Sequence, residues 1–412
     1  MLRLSALLLA ALALGCAHAR QSAAPAADAS AVEAAPHPIP LPAPRGEGDA
    51  ASRAEGEAHQ PGADAGQSPA PPAPLGEPAP ELPITFALVG DVMLGTAFPD
   101  EKLLPPDDGW SLLVPAAPVL AAADVAFANL EGPLADAGVS EKCARAKPGR
   151  CYAFRSPTRY AAHLERAGVN VVSIANNHIR DFGDAGVLST KGALLGEGIA
   201  WSGPPGEIAR LEVRGTRIAL VAFSTSAASH DLRDVQAARG IVEAAARDAD
   251  LVVVSFHGGA EGAGAQRVPE GRETFLGEDR GDLRAFARAA IDAGADLVVG
   301  HGPHVVRGME FHRGRLVAYS LGNFATYGAM NLTGPNGLAP ILEVALARDG
   351  TFRGGRIHAL RQERPGGPKA DPSGEVITVL RRLSEQDFGA SAARIAEDGT
   401  IAPPPAPAVP GA

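Results

Sequence analysis

The chain has 412 residues and a formal net charge of −10 with no basic stripe, which argues against nucleic acid as a partner. Aromatic residues make up only 5% of it, so its core has to be built mainly from Ala, Val, Leu and Ile. Much of its proline sits at the two ends, so the length overstates how much chain can fold around a core.

Residues 1–16 read MLRLSALLLAALALGC, with Arg3 ahead of an apolar run from Leu4 to Leu14. The run is too short to span a bilayer comfortably and reads as a signal peptide. Its ending, Ala13-Leu14-Gly15-Cys16, resembles a bacterial lipobox, in which Cys16 is acylated and becomes the mature N-terminus. The alternative is an ordinary secretory peptide cleaved after Ala17 or Ala19. Either reading puts the mature chain outside the cytoplasm, and the first anchors it to a bacterial membrane. Residues 17–82 are Ala, Pro, Gly and Ser with scattered charge, which predicts a disordered tether. Cys143 and Cys151 lie in a polar stretch, and outside the cytoplasm such a pair is expected to close a disulfide.

Between residues 83 and 361 the pattern alternates. Apolar runs at Ile84–Val89, Val125–Ala128, Val169–Ala175, Ile218–Phe223, Leu251–Phe256 and Asp296–Val299 predict buried strands. Helical patterns at Thr158–Ala167, Ala185–Leu195, Asp234–Ala249 and Gly281–Ala293 fall between them, which predicts an α/β layered domain. Val305–Glu310, Leu316–Tyr319, Ile341–Ala347 and Thr351–Ala359 read as antiparallel hairpins closing a second sheet. Residues 362–412 read as a mostly disordered Pro-rich tail with a short helix within Glu375–Asp387.

The chemistry collects where the strands end. Gly90-Asp91, Asn129-Leu130-Glu131, Asn176-Asn177-His178, His257-Gly258-Gly259 and Gly300-His301-Gly302-Pro303-His304 each directly follow an apolar run. In α/β sheets the C-terminal strand ends gather along one edge, where ligands bind. Two carboxylates, an amide and several imidazoles would meet there. Such an O and N donor set without thiolate suits Mn, Fe or Zn, and could hold two ions. Glu261 and Asn323 could reach the same place as ligand-binding groups. A solvated loop position and a turn Asn are their plain alternatives. His163, His230 and His312 read as structural or surface residues, and Tyr319 as core.

These stretches resemble the CapA family (poly-γ-glutamate capsule synthesis proteins), itself related to calcineurin-like metallophosphoesterases. The matching segments are Val89–Gly95, Ala128–Pro133, Ala175–Gly183, Gly300–Val305 and Tyr319–Phe324, in the family's order. The resemblance implies a four-layer αββα sandwich of metallophosphoesterase type with a two-metal site at the strand ends. By motif, Asp91 would bind the first metal and Glu131 would bridge. Asn177 and His257 would bind the second, and His301 and His304 would complete the pair. His178 would assist a leaving group, oriented by Asp181. The sequence departs from the phosphoesterase pattern at Asp91-Val92-Met93, where a histidine is expected third, and in the longer Glu131 bridge. Gly258 stands where CapA relatives commonly carry Trp, which predicts a looser pocket wall. Three functions follow. The chain could help synthesise, anchor or process an anionic capsule polymer alongside capsule-synthesis proteins, hydrolyse an extracytoplasmic phosphoester, or bind polymer without catalysis.

Overall fold

The computed structural model describes residues 39–40, 81–140, 142–143 and 151–405. Cys16 and nearly all of the expected tether 17–82 lie outside the described residues. Two sheets face each other. One runs, in spatial order, Ile39–Pro40, Ala209–Val213, Thr216–Ser224, Leu251–His257, Leu297–His301, Arg315–Leu321 and Val306–His312. The other runs Arg394–Ile395, Thr400–Ala402, Phe352–His358, Ile341–Leu346, Ile84–Met93, Val125–Leu130, Val171–Ser173 and Ala200–Ser202.

The strands are apolar on both faces because both faces are covered. Along Leu251–His257, Leu251 and Val253 join the core between the sheets, while Val252, Val254 and Phe256 pack outward. Phe86 and Leu88 likewise point inward, and Ala87 and Val89 outward. The helices Val235–Asp248 and Leu283–Asp292 cover the outer face of the first sheet. Their starts are set by Asp234 and Asp282, whose carboxylates accept from Ala237 N and Ala285 N at 3.0 Å. The helices Tyr160–Arg166 and Gly183–Gly196 cover the second sheet. The result is the expected αββα sandwich.

A bulge in the strand Ile84–Met93 sets the site. Leu88 pairs with Phe127 and Asp91 with Asn129, so one strand advances three residues while its partner advances two. Val89 and Val92 therefore both face outward, and Asp91 turns to the inner side. Gly90 is required at this point, since a Cβ there would sit 2.0 Å from Gly322 O. The close approach lets Asp91 N donate to Gly322 O at 2.9 Å.

Two expectations change. The four C-terminal strands do not close one sheet. The hairpin 306–321 extends the first sheet and the hairpin 341–358 the second. The apolar pattern is the same for either inner face, so periodicity could not assign them. The expected tail is also part of the fold through residue 402. Leu360–Gln362 pairs with Pro368–Ala370. The helix Glu375–Phe388 then buries Val376, Ile377, Leu380, Leu383 and Phe388. Finally Thr400–Ala402 pairs with Phe352–His358. The Pro-Gly-Gly-Pro run at 365–368 marks a turn between strands here, not the end of the domain.

Candidate metal centre

Parallel register brings the strand ends together. His257 pairs with His301, Ser224 with His257, and Asp91 lies between Asn129 and Asn323. After His301 the chain turns through Gly302 (φ 109°) and places His304 in the left-handed region at φ 58°. The His304 carbonyl is held there by Asn336 Nδ2 at 3.0 Å. This turn carries the His304 imidazole back to the opposite sheet. Its Nδ1 lies 3.0 Å from Asp91 Oδ2 and 3.2 Å from Asn323 Oδ1. Its Nε2 lies 3.7 Å from Glu131 Oε1.

Asp91, Glu131 and His304 thus offer ligand atoms that all lie within 4.8 Å of one another. Asp91 and Glu131 are fully buried, and both Glu131 oxygens lack a hydrogen-bond partner. Leaving a buried carboxylate unpaired is costly, and a cation is the natural complement. Burial and the charges of Asp91 and Glu261 push Glu131 up to about 8, against the pull of His304. Burial opposes ionisation of Asp91 too, but its hydrogen bond from His304 and the three nearby imidazoles outweigh it and bring it to about 2. Burial works against a charged His304, yet Glu131, Asp91 and Glu261 raise it to about 10. The donor set fits a divalent cation.

His257 and His301 border this cluster without belonging to the mutually close set. His257 Nδ1 lies 3.2 Å from Asn129 Nδ2, whose other hydrogen goes to Asp91 Oδ1 at 2.8 Å. An amide donating to Nδ1 leaves the His257 proton on Nε2, which is buried without a partner. Ligation through that nitrogen needs the other tautomer. Burial drives His257 well below the usual imidazole range. His301 turns Nε2 to Val89 O at 3.1 Å and leaves Nδ1 buried and unpartnered; burial lowers it as well. Asn177 Oδ1 is likewise buried with no partner, whereas neighbouring Asn176 is committed to Leu130 O at 2.8 Å.

His178 and Asp181 form the expected pair. His178 Nδ1 donates to Asp181 Oδ2 at 2.7 Å, and its Nε2 points to Glu131 Oε1 at 4.0 Å. Burial lowers the His178 imidazole, opposed by Asp181. The Phe154 ring lies against it at 4.3 Å, and Phe154 N donates to Asp181 at 2.8 Å. Lys142 Nζ donates to the other Asp181 oxygen. Beside Lys142, Cys143 is joined to Cys151 by the expected disulfide, with a Cα separation of 5.6 Å.

A cavity of about 190 Å³ adjoins the cluster, lined by Glu261, Phe275, His304, Asn323, Met330 and Asn336 among others. Glu261 and Asn323 thus line the same cavity as His304. The expected looseness at Gly258 is absent: a Cβ there would meet Leu232 Cδ2 at 2.8 Å and Arg280 O at 3.0 Å. His163, His230 and His312 pair locally with Asp108, Gly206 N and Asp292.

Sequence reasoning missed Asn129, Lys142, Arg280 and Asn336. Asn129 had a signal, since it opens the same strand-end motif as Glu131. The other three are charged or amide residues on loops and short strands, where spacing says nothing about reach.

The chain matches the profile of the bacterial capsule synthesis protein family PGA_cap over residues 85–327. It is 26% identical over 320 residues to the PGA biosynthesis protein CapA of Bacillus subtilis, covering 73% of this chain and 78% of that one. It is also 26% identical over 262 residues to the capsule biosynthesis protein CapA of Bacillus anthracis, covering 58% of this chain but only 59% of the relative. Among solved structures, a 5'-nucleotidase precursor from Thermus thermophilus overlaps 74% of this chain and 59% of its own, at 13% identity and a TM-score of 0.37. The sequence match covers most of the sandwich and every strand end described above, and on it the chain belongs to the bacterial capsule synthesis protein family PGA_cap.

Proposed function

We propose that this chain acts outside the cytoplasm in capsule assembly, holding an anionic polymer such as poly-γ-glutamate at a divalent cation centre. The observation that carries this reading is the convergence of Asp91, Glu131 and His304 from both sheets, with both Glu131 oxygens buried and unpartnered. Asp91, Glu131 and His304 would hold the cation. His257 and His301 border the cluster and, with the buried unpartnered Asn177 oxygen, would hold a second ion of the Mn, Fe or Zn class. A bound divalent cation supplies positive charge and Lewis acidity to an incoming oxyanion. The disulfide suits an oxidising compartment. A lipid anchor at Cys16 would tether the domain to a membrane; among the described residues no helix is long and apolar enough to cross one. Cys16→Ser should then release the protein from the membrane fraction, and unchanged fractionation would count against the anchor.

The test is metal analysis of the purified chain combined with poly-γ-glutamate binding before and after chelation. Cation-dependent binding is expected; binding indifferent to chelation would sink the reading. A second reading, phosphoester hydrolysis, is favoured by the His178–Asp181 pair beside Glu131. There His178 would hold a proton for a departing oxygen, with Asp181 and Lys142 fixing its ring. Turnover of p-nitrophenyl phosphate that is abolished in His178→Ala would support it. A metal-loaded chain with no turnover leaves the binding role.

A further inference from the structure

Arg280 is a guanidinium buried to 1% exposure beside the candidate cation cluster, an unusual place for a full positive charge. Its position is fixed from two sides. Arg280 Nε donates to Gly259 O at 2.9 Å, and Gly259 N returns a bond to Arg280 O at 2.9 Å. The close contact is permitted by Gly258, where a Cβ would lie 3.0 Å from Arg280 O. The outer nitrogens are less committed. Among the described residues, the acid nearest Nη1 is the exposed Glu278 carboxylate at 4.0 Å. Nη2 is buried, lies 3.0 Å from Glu261 Oε1, and makes no well-aligned hydrogen bond.

Glu261 spans the gap between this guanidinium and the cluster. Its other oxygen lies 3.9 Å from His304 Nε2, and its side chain lines the cavity. Gly259, Gly262 and Gly264 flank it, two of them at positive φ, and a fifth of its side chain is exposed. A short swing would carry the carboxylate into solvent. What it leaves behind is the gap between the buried Arg280 guanidinium and His304, next to the cavity whose wall carries His304, Asn323 and Asn336.

We infer that Arg280 is a carboxylate-recognition residue, and that Glu261 is an internal stand-in occupying its place until the carboxylate of a polymer glutamyl unit displaces it. The inference rests on the polymer reading above and adds the ligand group recognised and the residue that recognises it. An exchange of one carboxylate for another keeps the buried charges balanced, which a neutral amide could not do. The site therefore selects free α-carboxylates along a γ-linked chain.

The test is calorimetric titration of the full chain with Mn²⁺ present, using a γ-linked glutamate pentamer and its α-carboxamide counterpart. Glu261→Gln should tighten pentamer binding by roughly tenfold, the scale of one charged hydrogen-bonded contact. It should leave carboxamide binding and Mn²⁺ content unchanged. Arg280→Lys should erase the preference for acid over amide. Unchanged or weaker pentamer binding in Glu261→Gln overturns the inference, as does an acid form bound no better than the amide. Loss of Mn²⁺ from Glu261→Gln also overturns it, because Glu261 would then be a cation ligand. If Arg280→Lys fails to fold, the Glu261→Gln result decides alone. If neither wild type nor Glu261→Gln binds the pentamer, the inference falls. Pentamer binding that survives chelation but keeps the expected Glu261→Gln gain removes the cation-centred reading and leaves the carboxylate site standing.

Discussion

The imidazole of His304 reaches Asp91 across the gap between the two sheets, Nδ1 to Oδ2, at 3.0 Å. One residue lies in the turn that follows Leu297–His301 and the other in the bulged strand Ile84–Met93, so the contact ties the sheets at the candidate centre. Its geometry depends on the left-handed backbone at His304. Asn tolerates that conformation better than most residues. His304→Asn is therefore expected to fold with a melting temperature close to wild type while cation affinity, measured by equilibrium dialysis, falls by at least about tenfold. An unchanged affinity would remove His304 from the ligand set.

Asn129 donates to Asp91 and faces His257 Nδ1, which fixes the orientation of both side chains. Asn129→Leu leaves every proposed ligand in place. Cation affinity should nevertheless drop by about 10–100-fold, as is usual when a group orienting a ligand is lost. Dialysis against a fluorescent indicator would show it.

Glu310 joins three parts of the fold. It accepts from Arg288 by two bonds of 2.9 Å, from Tyr319 Oη at 2.7 Å and from Ser391 Oγ at 2.8 Å. Burial alone would raise its carboxyl, but these donors outweigh it and hold it below the ordinary carboxylate value. A depressed value in the folded state stabilises above the unfolded value and is lost as pH falls through the folded one. Glu310→Gln should therefore cost about 2–3 kcal/mol near pH 7, and the gap from wild type should close as pH drops below about 4. Denaturant melts at pH 7 and pH 3 would measure both.

The Cys143–Cys151 disulfide closes a short loop beside Lys142, whose ammonium rests on Asp181. Replacing both cysteines by Ser should cost about 2–3 kcal/mol by the loop-closure argument. Because Cys143 and Cys151 themselves belong to neither sheet, cation content should not change. A loss of cation would show that the disulfide acts on the site through Lys142 and Asp181.

Strand ends were the part of the site most legible in the sequence. Asp91, Glu131, His257 and His301 each follow an apolar run, and parallel register alone brings such residues together. The bulge that turns Asp91 inward left no mark in the pattern, because one extra residue among Val89, Gly90 and Val92 does not disturb an apolar run. Arg280 and Lys142 reach the site by long side chains from distant segments, a matter of tertiary distance that spacing cannot express. The helix Glu375–Phe388 was visible as a short amphipathic stretch. Its membership in the domain was not, since the flanking Pro and Gly residues read the same whether they end a fold or turn a chain within it.

That last segment works as a clasp. Residues 392 and 393 bond to Glu310 and Met309 on the outermost strand of one sheet, and Ile401 pairs with Gly355 on the other. Ser384 adds a bond to Met309 N at 2.9 Å, and Val376, Leu380, Ile395 and Ile401 plug the core at that end. A protein cut at residue 361 would lose the piece that buttons the two sheets together, leaving the sandwich open along one side and free to splay. The cluster of Asp91, Glu131 and His304 draws on both sheets, so its spacing is guarded by a stretch of chain that never touches it.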